Sequence, residues 1–264
     1  MSDTTIITEK ADDAAIIKFN RPDKRNALTQ QMMTELSAEL EKAADDVSVR
    51  AIVLAGEGKC FCSGIDFNML AELGGKRTDT AAFRRIVAKM QSVGNLMESI
   101  EKPVIAALHC YCFGMGLEIA LAADFRIAAE GTQIGLQEAE LGLIPDVGGT
   151  TRLTRTVGIP HAKEIIMLGR KIDARRAYEI GLVNAVVPED QLAATAMEWV
   201  KELKGCAPLA VGLAKKVIDR GAHLDKMTLM ELEALAQSVL IRTDDVNEGV
   251  MARMQKRPPE FKGK

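Results

Sequence analysis

Short apolar runs rich in branched side chains alternate with longer segments of helical periodicity through the first two thirds of the 264-residue chain. Short runs of this kind predict buried strands, and strands separated by helices predict an α/β core with crossover connections. The strands are predicted at residues 14–19, 51–55, 104–108, 125–128 and 185–187.

The helical pattern between these strands is strongest at residues 29–46 and 80–100. Thr29 is the first residue of the first segment and suits an N-cap, because its hydroxyl can accept a hydrogen bond from a free helix amide. After about residue 188 only helical patterns follow, so we expect a core over residues 1–200 and a helical assembly region over 201–264. The later helices are predicted at 188–204, 208–221, 224–241 and 244–255, and an apolar stripe on the third of them is expected to pack against another helix: Met227, Met230, Leu232, Leu235 and Val239.

The charge balance and the cysteine pattern exclude several classes of protein. The net charge of −3 argues against a dedicated nucleic-acid binder. No apolar run approaches the ~20 residues that cross a bilayer, and the start MSDTTIITEK has no apolar signal core. We therefore expect a cytoplasmic protein with no nucleic-acid or membrane partner. The five cysteines include two C-x-C pairs that could in principle hold zinc, but buried free thiols without a metal are the expected state: Cys60, Cys62, Cys110 and Cys112.

Two glycine-containing turns each follow a predicted strand directly, at residues 56–66 (GEGKCFCSGID) and 112–121 (CFGMGLEIAL). Glycine lets a backbone turn sharply and brings bare N–H groups close to a ligand. Two such loops can each aim one N–H at a single developing oxyanion. Neither loop matches the dinucleotide or nucleoside-triphosphate pattern.

Acidic side chains near the second turn are the candidate proton carriers. Glu118 lies in a segment without other charges; burial there would raise its pKa and suit it to proton transfer, whereas pairing with Arg126 would make it structural. Residue context alone leaves both possibilities open. Spacing likewise does not choose between Glu138 and Glu140, and Asp146 sits in a Pro/Gly turn where a turn or cap role is expected. The three histidines are expected to be structural: His109, His161 and His223.

Taken together, these motifs make the chain similar to the crotonase superfamily, the enoyl-CoA hydratase/isomerase family, over essentially its whole length. The matching segments are residues 20–29 (NRPDKRNALT), 61–66 (FCSGID), 102–107 (KPVIAA), 114–124 (GMGLEIALAAD), 138–149 (EAELGLIPDVGG) and 174–183 (ARRAYEIGLV). The resemblance implies an α/β fold, a spiral of repeated ββα turns followed by a helical trimerisation region. It also implies an acyl-CoA substrate and homotrimers, often paired into hexamers.

The resemblance also assigns roles to individual residues. The backbone amides of Ile65 and Met115 would form an oxyanion hole; the family usually has glycine at the second position, so Met115 could alter the start of the helix or the pocket volume. Glu118 and Glu138 would share a water molecule, which selects Glu138 over Glu140. The remaining matches are expected to bind or shape the coenzyme A site, the last by reaching the neighbouring subunit: Lys24, Arg25, Ala27, Gly64, Asp66 and Lys256.

The function implied is that of an enoyl-CoA hydratase, which adds water across the 2,3 double bond of an enoyl-CoA thioester through an enolate-like intermediate. Coenzyme A is part of the substrate, so no separate cofactor and no metal are expected. The first alternative is an enoyl-CoA or dienoyl-CoA isomerase with Asp146 as an additional acid, although dienoyl enzymes carry aspartate in place of Glu118. The second is an acyl-CoA hydrolase or lyase, or a non-catalytic CoA- or RNA-binding member. Acyl-chain preference is expected from the wall at residues 69–85.

Overall fold

The computed structural model describes residues 4–75, 79–221 and 224–264. All five predicted strands are present, which confirms the α/β core, and four further strands escaped the sequence pattern. The nine strands are β1 (Ile6–Ala11), β2 (Ala14–Phe19), β3 (Ala51–Gly56), β4 (Val104–Leu108), β5 (Tyr111–Phe113), β6 (Phe125–Ala129), β7 (Gln133–Gly135), β8 (Lys171–Asp173) and β9 (Ala185–Val187).

The strands form two sheets. The larger has the order β1-β2-β3-β4-β6-β9 and is parallel apart from the β1–β2 hairpin, and the smaller has the order β5-β7-β8. Every residue of β4 is buried, as expected for a central parallel strand covered on both faces.

The chain crosses repeatedly from the large sheet to the small one. It leaves β4 for β5 through Cys110, whose φ of 54° makes the sharp corner, and later leaves β6 for β7 in the same way. Isolated parallel pairings, Cys62 with Cys112 and Leu28 with Ile65, extend the small-sheet layer into both glycine loops. This repeated crossing is the ββα spiral, and it brings the two loops together.

Ten helices surround the sheets in the described ranges. Thr29 caps the first of them, its Oγ1 accepting from the Met32 amide at 3.2 Å, as predicted. The helices are α1 (Gln30–Asp45), α2 (Phe67–Gly75), α3 (Thr80–Ser99), α4 (Met115–Ala120), α5 (Gly149–Met167), α6 (Ala174–Glu179), α7 (Leu192–Lys204), α8 (Pro208–Gly221), α9 (Lys226–Leu240) and α10 (Asp244–Gln255).

The C-terminal helices join the core through a buried cation. Lys215 in α8 donates to the Met97 carbonyl at 2.7 Å and to Asp124 Oδ2 at 2.8 Å, and the same Asp124 oxygen accepts the Val104 amide at the start of β4. A side chain this strongly paired can be buried without a large penalty. The helical tail is therefore locked to the strand that precedes the second glycine loop. The boundary placed between residues 200 and 201 stays a prediction.

The described part of the chain leaves most of the apolar stripe predicted on α9 uncovered. Met227, Met230, Leu235 and Val239 are exposed, Leu232 is half-buried, and α9 has no fully buried residue among those described. No helix in the described ranges is long and apolar enough to cross a membrane.

Candidate active site

Backbone hydrogen bonds hold the two glycine loops against each other. The Phe113 amide donates to the Cys62 carbonyl at 3.1 Å, and the Cys62 amide donates to the Tyr111 carbonyl at 2.9 Å. Gly64 has φ of 105°, and a Cβ placed on it would lie 3.2 Å from the Phe113 carbonyl oxygen. Both the torsion and the close approach require glycine. The loops predicted to act together therefore do meet.

The same pairing leaves one amide of each loop without an internal partner. Leu28 donates to the Gly64 carbonyl and accepts from the Asp66 amide, so the N–H of Ile65, between them, points to the opposite side. Met115 is the first residue of α4, where helix amides lack internal acceptors. Neither the Ile65 nor the Met115 amide donates a hydrogen bond within the described part of the chain. These two N–H groups are available to a ligand oxygen.

Glu118 is buried in α4 with only 2% of its surface exposed. One oxygen, Oε1, accepts hydrogen bonds from the amides of Val147 and Gly149, both at 2.8 Å. Burial raises the pKa of Glu118 to about 8, the negative charge of Glu138 adds to the rise, and the two amide bonds oppose it. A carboxyl group that titrates near neutral pH is suited to accept and return a proton.

Arg126 does not pair with Glu118, which removes the structural alternative. Its guanidinium instead donates to main-chain carbonyls, from Nε to Leu182 at 2.7 Å and from Nη1 to Ala123 at 2.6 Å. The contacts that favour the ionised form of Glu118 are therefore the backbone amides of Val147 and Gly149 and not the guanidinium of Arg126.

Glu138 lies against Gly114 of the second glycine loop. It begins a 3-10 turn (Glu138–Leu141), and its Oε1 would be 3.1 Å from a Cβ placed on Gly114. Its Oε2 is buried and has no hydrogen-bond partner among residues 4–75, 79–221 and 224–264. Burial raises the pKa of Glu138, and the charge of Asp146 raises it further. Glu140, by contrast, is exposed and lies against Gly169.

Asp146 is half-buried and lies in the turn before α5. Burial raises its pKa, and its charge acts on both Glu118 and Glu138. Its backbone carbonyl accepts a hydrogen bond from Gln91 Nε2 at 2.6 Å. The structure thus brings three carboxyl groups into one site, two of which the resemblance paired.

The predicted coenzyme A residues lie at the rim of the same loops. Lys24 and Arg25 are exposed at the end of a 3-10 turn (Pro22–Lys24). Asp66 pairs with Arg21 at 3.0 Å and caps α2; burial opposes ionisation, but these hydrogen bonds outweigh it and lower the pKa of Asp66. Lys256 is exposed at the end of α10. Contact of these residues, and of Ala27 and Gly64, with coenzyme A stays a prediction.

The sequence reasoning missed Asn26, which organises this rim. Its buried side chain accepts from the Arg21 amide at 2.8 Å and donates to the carbonyls of Glu57 at 3.0 Å and Cys60 at 2.8 Å. Its φ of 54° is a conformation that asparagine tolerates better than most residues. An asparagine in a turn otherwise rich in charge was the available signal.

We assign none of the histidines and cysteines to the candidate active site. His109 Nε2 lies 3.1 Å from the Gly58 carbonyl oxygen and is buried, and His161 lies in α5 near Glu164. His223 lies outside the described residues. The four cysteines of the C-x-C pairs are free thiols, and Cys110 is half-buried rather than buried. Within the described ranges, no group of three or more histidine, cysteine or acidic side chains is arranged to hold a metal.

Known proteins resemble this chain over its full length. The sequence profile of a family described as enoyl-CoA hydratase/isomerase matches residues 9–264. The chain belongs to the enoyl-CoA hydratase/isomerase family. It is 36% identical over 256 residues to the short-chain-enoyl-CoA hydratase of Clostridium acetobutylicum, covering 97% of this chain and 96% of that one. It is 35% identical over 262 residues to the crotonyl-CoA hydratase of Syntrophomonas wolfei, covering 99% of each.

Solved structures agree with the sequence match. The crystal structure of an enoyl-CoA hydratase from Bacillus anthracis superposes with a TM-score of 0.93 at 36% identity, covering 99% of this chain and all of that one. The crotonase-type fold expected from the sequence is confirmed. The enoyl-CoA hydratase/isomerase family match spans both glycine loops and all three acids.

Proposed function

We propose that the chain is an enoyl-CoA hydratase that adds water across the 2,3 double bond of an enoyl-CoA thioester. The observation that carries the proposal is the placement of two carboxyl groups of raised pKa beside two unengaged backbone amides. Full-length relatives that are themselves named enoyl-CoA hydratases support the same reaction.

The two amides supply the electrostatic part of the reaction. When a nucleophile adds to the β-carbon of a conjugated thioester, negative charge moves onto the carbonyl oxygen. Donors fixed by the loops, the N–H groups of Ile65 and Met115, bind that charge more tightly in the transition state than in the ground state. In other enzymes the loss of one such donor costs about 3–4 kcal/mol.

The two glutamates supply the proton transfers. Glu118, once it has passed its proton to Glu138, takes a proton from a water molecule while the hydroxyl oxygen bonds to the β-carbon. Glu138, protonated, delivers its proton to the α-carbon as the enolate collapses. One water is consumed, and a proton returns from Glu118 to Glu138 to close the cycle, so the two titrations are coupled. The unpartnered Oε2 of Glu138 suits this exchange.

The experiment that tests this proposal compares the change Glu138→Gln with the matched control Glu140→Gln. Glu140 lies on the same turn but is exposed and directed at Gly169. Turnover is followed by loss of the absorbance of the conjugated thioester with a panel of 2-enoyl-CoA substrates. We expect kcat to fall about 10²–10⁴-fold for Glu138→Gln, the contribution of one acid–base group, and to be unchanged in the control. Equal activity of both variants would refute the assignment.

An isomerase is the second candidate, and Asp146 favours it. This third acid acts electrostatically on both glutamates, so a proton could move between carbons rather than arrive from water. The 3-enoyl-CoA and 3,5-dienoyl-CoA substrates test it. Turnover of these that Asp146→Asn abolishes, with hydration retained, would establish isomerisation as an additional activity.

We also propose that the protein forms an oligomer and works in the cytoplasm. Exposed apolar side chains on α9 and α10, including Met227, Leu235, Met251 and Met254, support a homotrimer or a hexamer of two trimers. Light scattering of the purified protein measures the number of subunits.

Five free thiols support a reducing, cytoplasmic compartment. The mechanism calls on no cofactor beyond the coenzyme A of the substrate and on no metal.

A further inference from the structure

Arg152 is a buried cation that the proposed reaction does not use. It lies in the first turn of α5 with 8% of its surface exposed. Its Nε donates to Glu98 Oε1 at 2.6 Å and its Nη2 to Glu98 Oε2 at 2.9 Å, a two-point pairing that fixes the plane of the guanidinium. Nη2 also donates to Asn95 Oδ1 at 2.9 Å. Both partners belong to α3, so Arg152 is held by a helix that contains no catalytic residue.

The other edge of the guanidinium reaches the loop that binds Glu118. Arg152 Nη1 donates to the carbonyl oxygen of Val147 at 3.2 Å, while the amide of the same Val147 donates to Glu118 Oε1 at 2.8 Å. Gln91, also in α3, holds the preceding carbonyl of Asp146. Two successive carbonyls of the loop are therefore anchored to α3, and the adjoining amides face Glu118.

Glycines keep this path free of side-chain atoms. Gly148 has φ of 107°, and a Cβ placed on it would lie 1.9 Å from Arg152 Nη1. A Cβ placed on Gly149 would lie 2.8 Å from Glu118 Oε1. On the α3 side, a Cβ on Gly94 would lie 3.0 Å from the same guanidinium nitrogen. The guanidinium and the carboxyl group thus each lie against a glycine of the loop, where a side chain would not fit.

We propose that Arg152, anchored by Glu98 and Asn95, is a positioning residue that holds the amides of Val147 and Gly149 on Glu118. The inference rests on the proposed function only in treating Glu118 as catalytic. The other ionisable groups that act on Glu118 are Glu138, from the 3-10 turn, and Asp146, from the loop itself; both are acidic. The two amides are the donors that favour the ionised form of Glu118, and Arg152 keeps them in place.

Removing the guanidinium should therefore change proton binding at Glu118. Without the anchor on the Val147 carbonyl, the two amides move off Oε1, and the remaining influences, burial and two acidic neighbours, all favour the protonated form. The pKa of Glu118 then rises above its value of about 8 in the intact site. The limb of the pH–rate profile that needs ionised Glu118 moves to higher pH.

The test compares Arg152→Gln and Arg152→Lys with Arg155→Gln. Arg155 lies three residues later in α5, is exposed, and serves as the matched control. Glutamate labelled with carbon-13 at the side-chain carboxyl reports the titration of Glu118, which is assigned by its absence in Glu118→Gln. Far-UV circular dichroism and thermal unfolding confirm that each variant is folded.

We expect Arg152→Gln to raise the titration midpoint of Glu118 by about one pH unit and to move the limb of the pH–rate profile by the same amount. Arg152→Lys should produce a smaller shift, because a lysine ammonium is a single point donor that cannot keep the two-point pairing. Arg155→Gln should match the wild type. If Arg152→Gln does not fold, Arg152→Lys and Glu98→Gln carry the same comparison.

An unchanged Glu118 titration in a folded Arg152 variant overturns the inference. The titration is measured without substrate, so it separates the two ideas. A protein that hydrates no enoyl-CoA but shows the shift loses the proposed function and keeps the role of Arg152. A protein that hydrates enoyl-CoA and shows no shift keeps the function and loses the inference.

Discussion

The change Glu118→Gln should make the protein more stable than the wild type at alkaline pH while leaving its stability at acid pH nearly unchanged. Burial in α4 raises the pKa of Glu118 from an ordinary 4.5 to about 8. Between these values the unfolded chain has lost its proton and the folded protein still holds it. Folding then requires proton uptake, so stability falls as the pH rises through this window. Glutamine can accept the same two amide bonds and has no proton to lose.

The size of the effect follows from the width of that window. A difference of about 3.5 pH units, at 1.36 kcal/mol per unit, is worth about 5 kcal/mol in full. Part of it lies outside the range from pH 5 to pH 8, so the variant should gain about 3–4 kcal/mol over the wild type across that range. The contribution is fully present below pH 4.5 and is lost completely only above about pH 8.

Urea unfolding at pH 5, 6, 7 and 8, at one fixed protein concentration, measures the free energy of unfolding of the variant and of the wild type. Trp199, the only tryptophan, packs edge-on against Phe125 and reports unfolding of the core by fluorescence. Glu140→Gln, an exposed glutamate given the same change, should track the wild type at every pH. A difference between Glu118→Gln and the wild type that stays constant with pH would refute the reasoning, because it would mean that Glu118 ionises normally in the folded protein.

Two further predictions concern the loops. Gly149→Ala places a methyl group 2.8 Å from Glu118 Oε1 and should lower kcat about 100-fold, the scale expected when a catalytic group is misplaced by about 1 Å; Gly249→Ala in α10, where a Cβ has room, is the control in the turnover assay. Asn26→Ala removes three hydrogen bonds of a buried side chain, one of them fully buried and two partly buried, and should lower the free energy of unfolding in urea by about 2–4 kcal/mol. A loss within 0.5 kcal/mol, roughly the effect of an ordinary surface change, would show that Asn26 does not organise the rim.

The parts of the fold that could be predicted are those coded by local periodicity. The strand at residues 104–108 and the helix at 244–255 lie where the pattern placed them, because the strand is an apolar run buried along its whole length and the helix carries two acidic residues in its first turn. Strands β5, β7 and β8 are three residues each and lack the uninterrupted aliphatic run that marks the equally short β9. They exist because neighbouring strands pair with them, and that information is spread over distant parts of the chain.

The candidate site, too, could be predicted from the sequence only in part. The two glycine loops follow strands and could be recognised, and the resemblance chose Glu138 over its neighbour. The state of Glu118, however, depends on amides 29 and 31 residues later in the chain, which only the folded loop brings to its carboxyl group. Arg126, the one partner visible in the sequence, turns out to bind carbonyls instead. The local sequence identifies Glu118 as the acid, but it does not identify the amide donors that shift its pKa.

The methionine at position 115 shows how a departure from the family pattern can leave the proposed oxyanion hole intact. Its backbone is ordinary right-handed helix, and its side chain, 3% exposed, packs into the main apolar cluster. A contact between the loops that is closer than the one at Gly64 lies one residue later. A Cβ placed on Gly116 would be 2.6 Å from the Cys62 sulfur, so Gly116 and Cys62 fit together as a pair. The position at which the site has no room for a side chain is therefore 116. Any larger residue there would push the first loop and its Ile65 amide away from Met115.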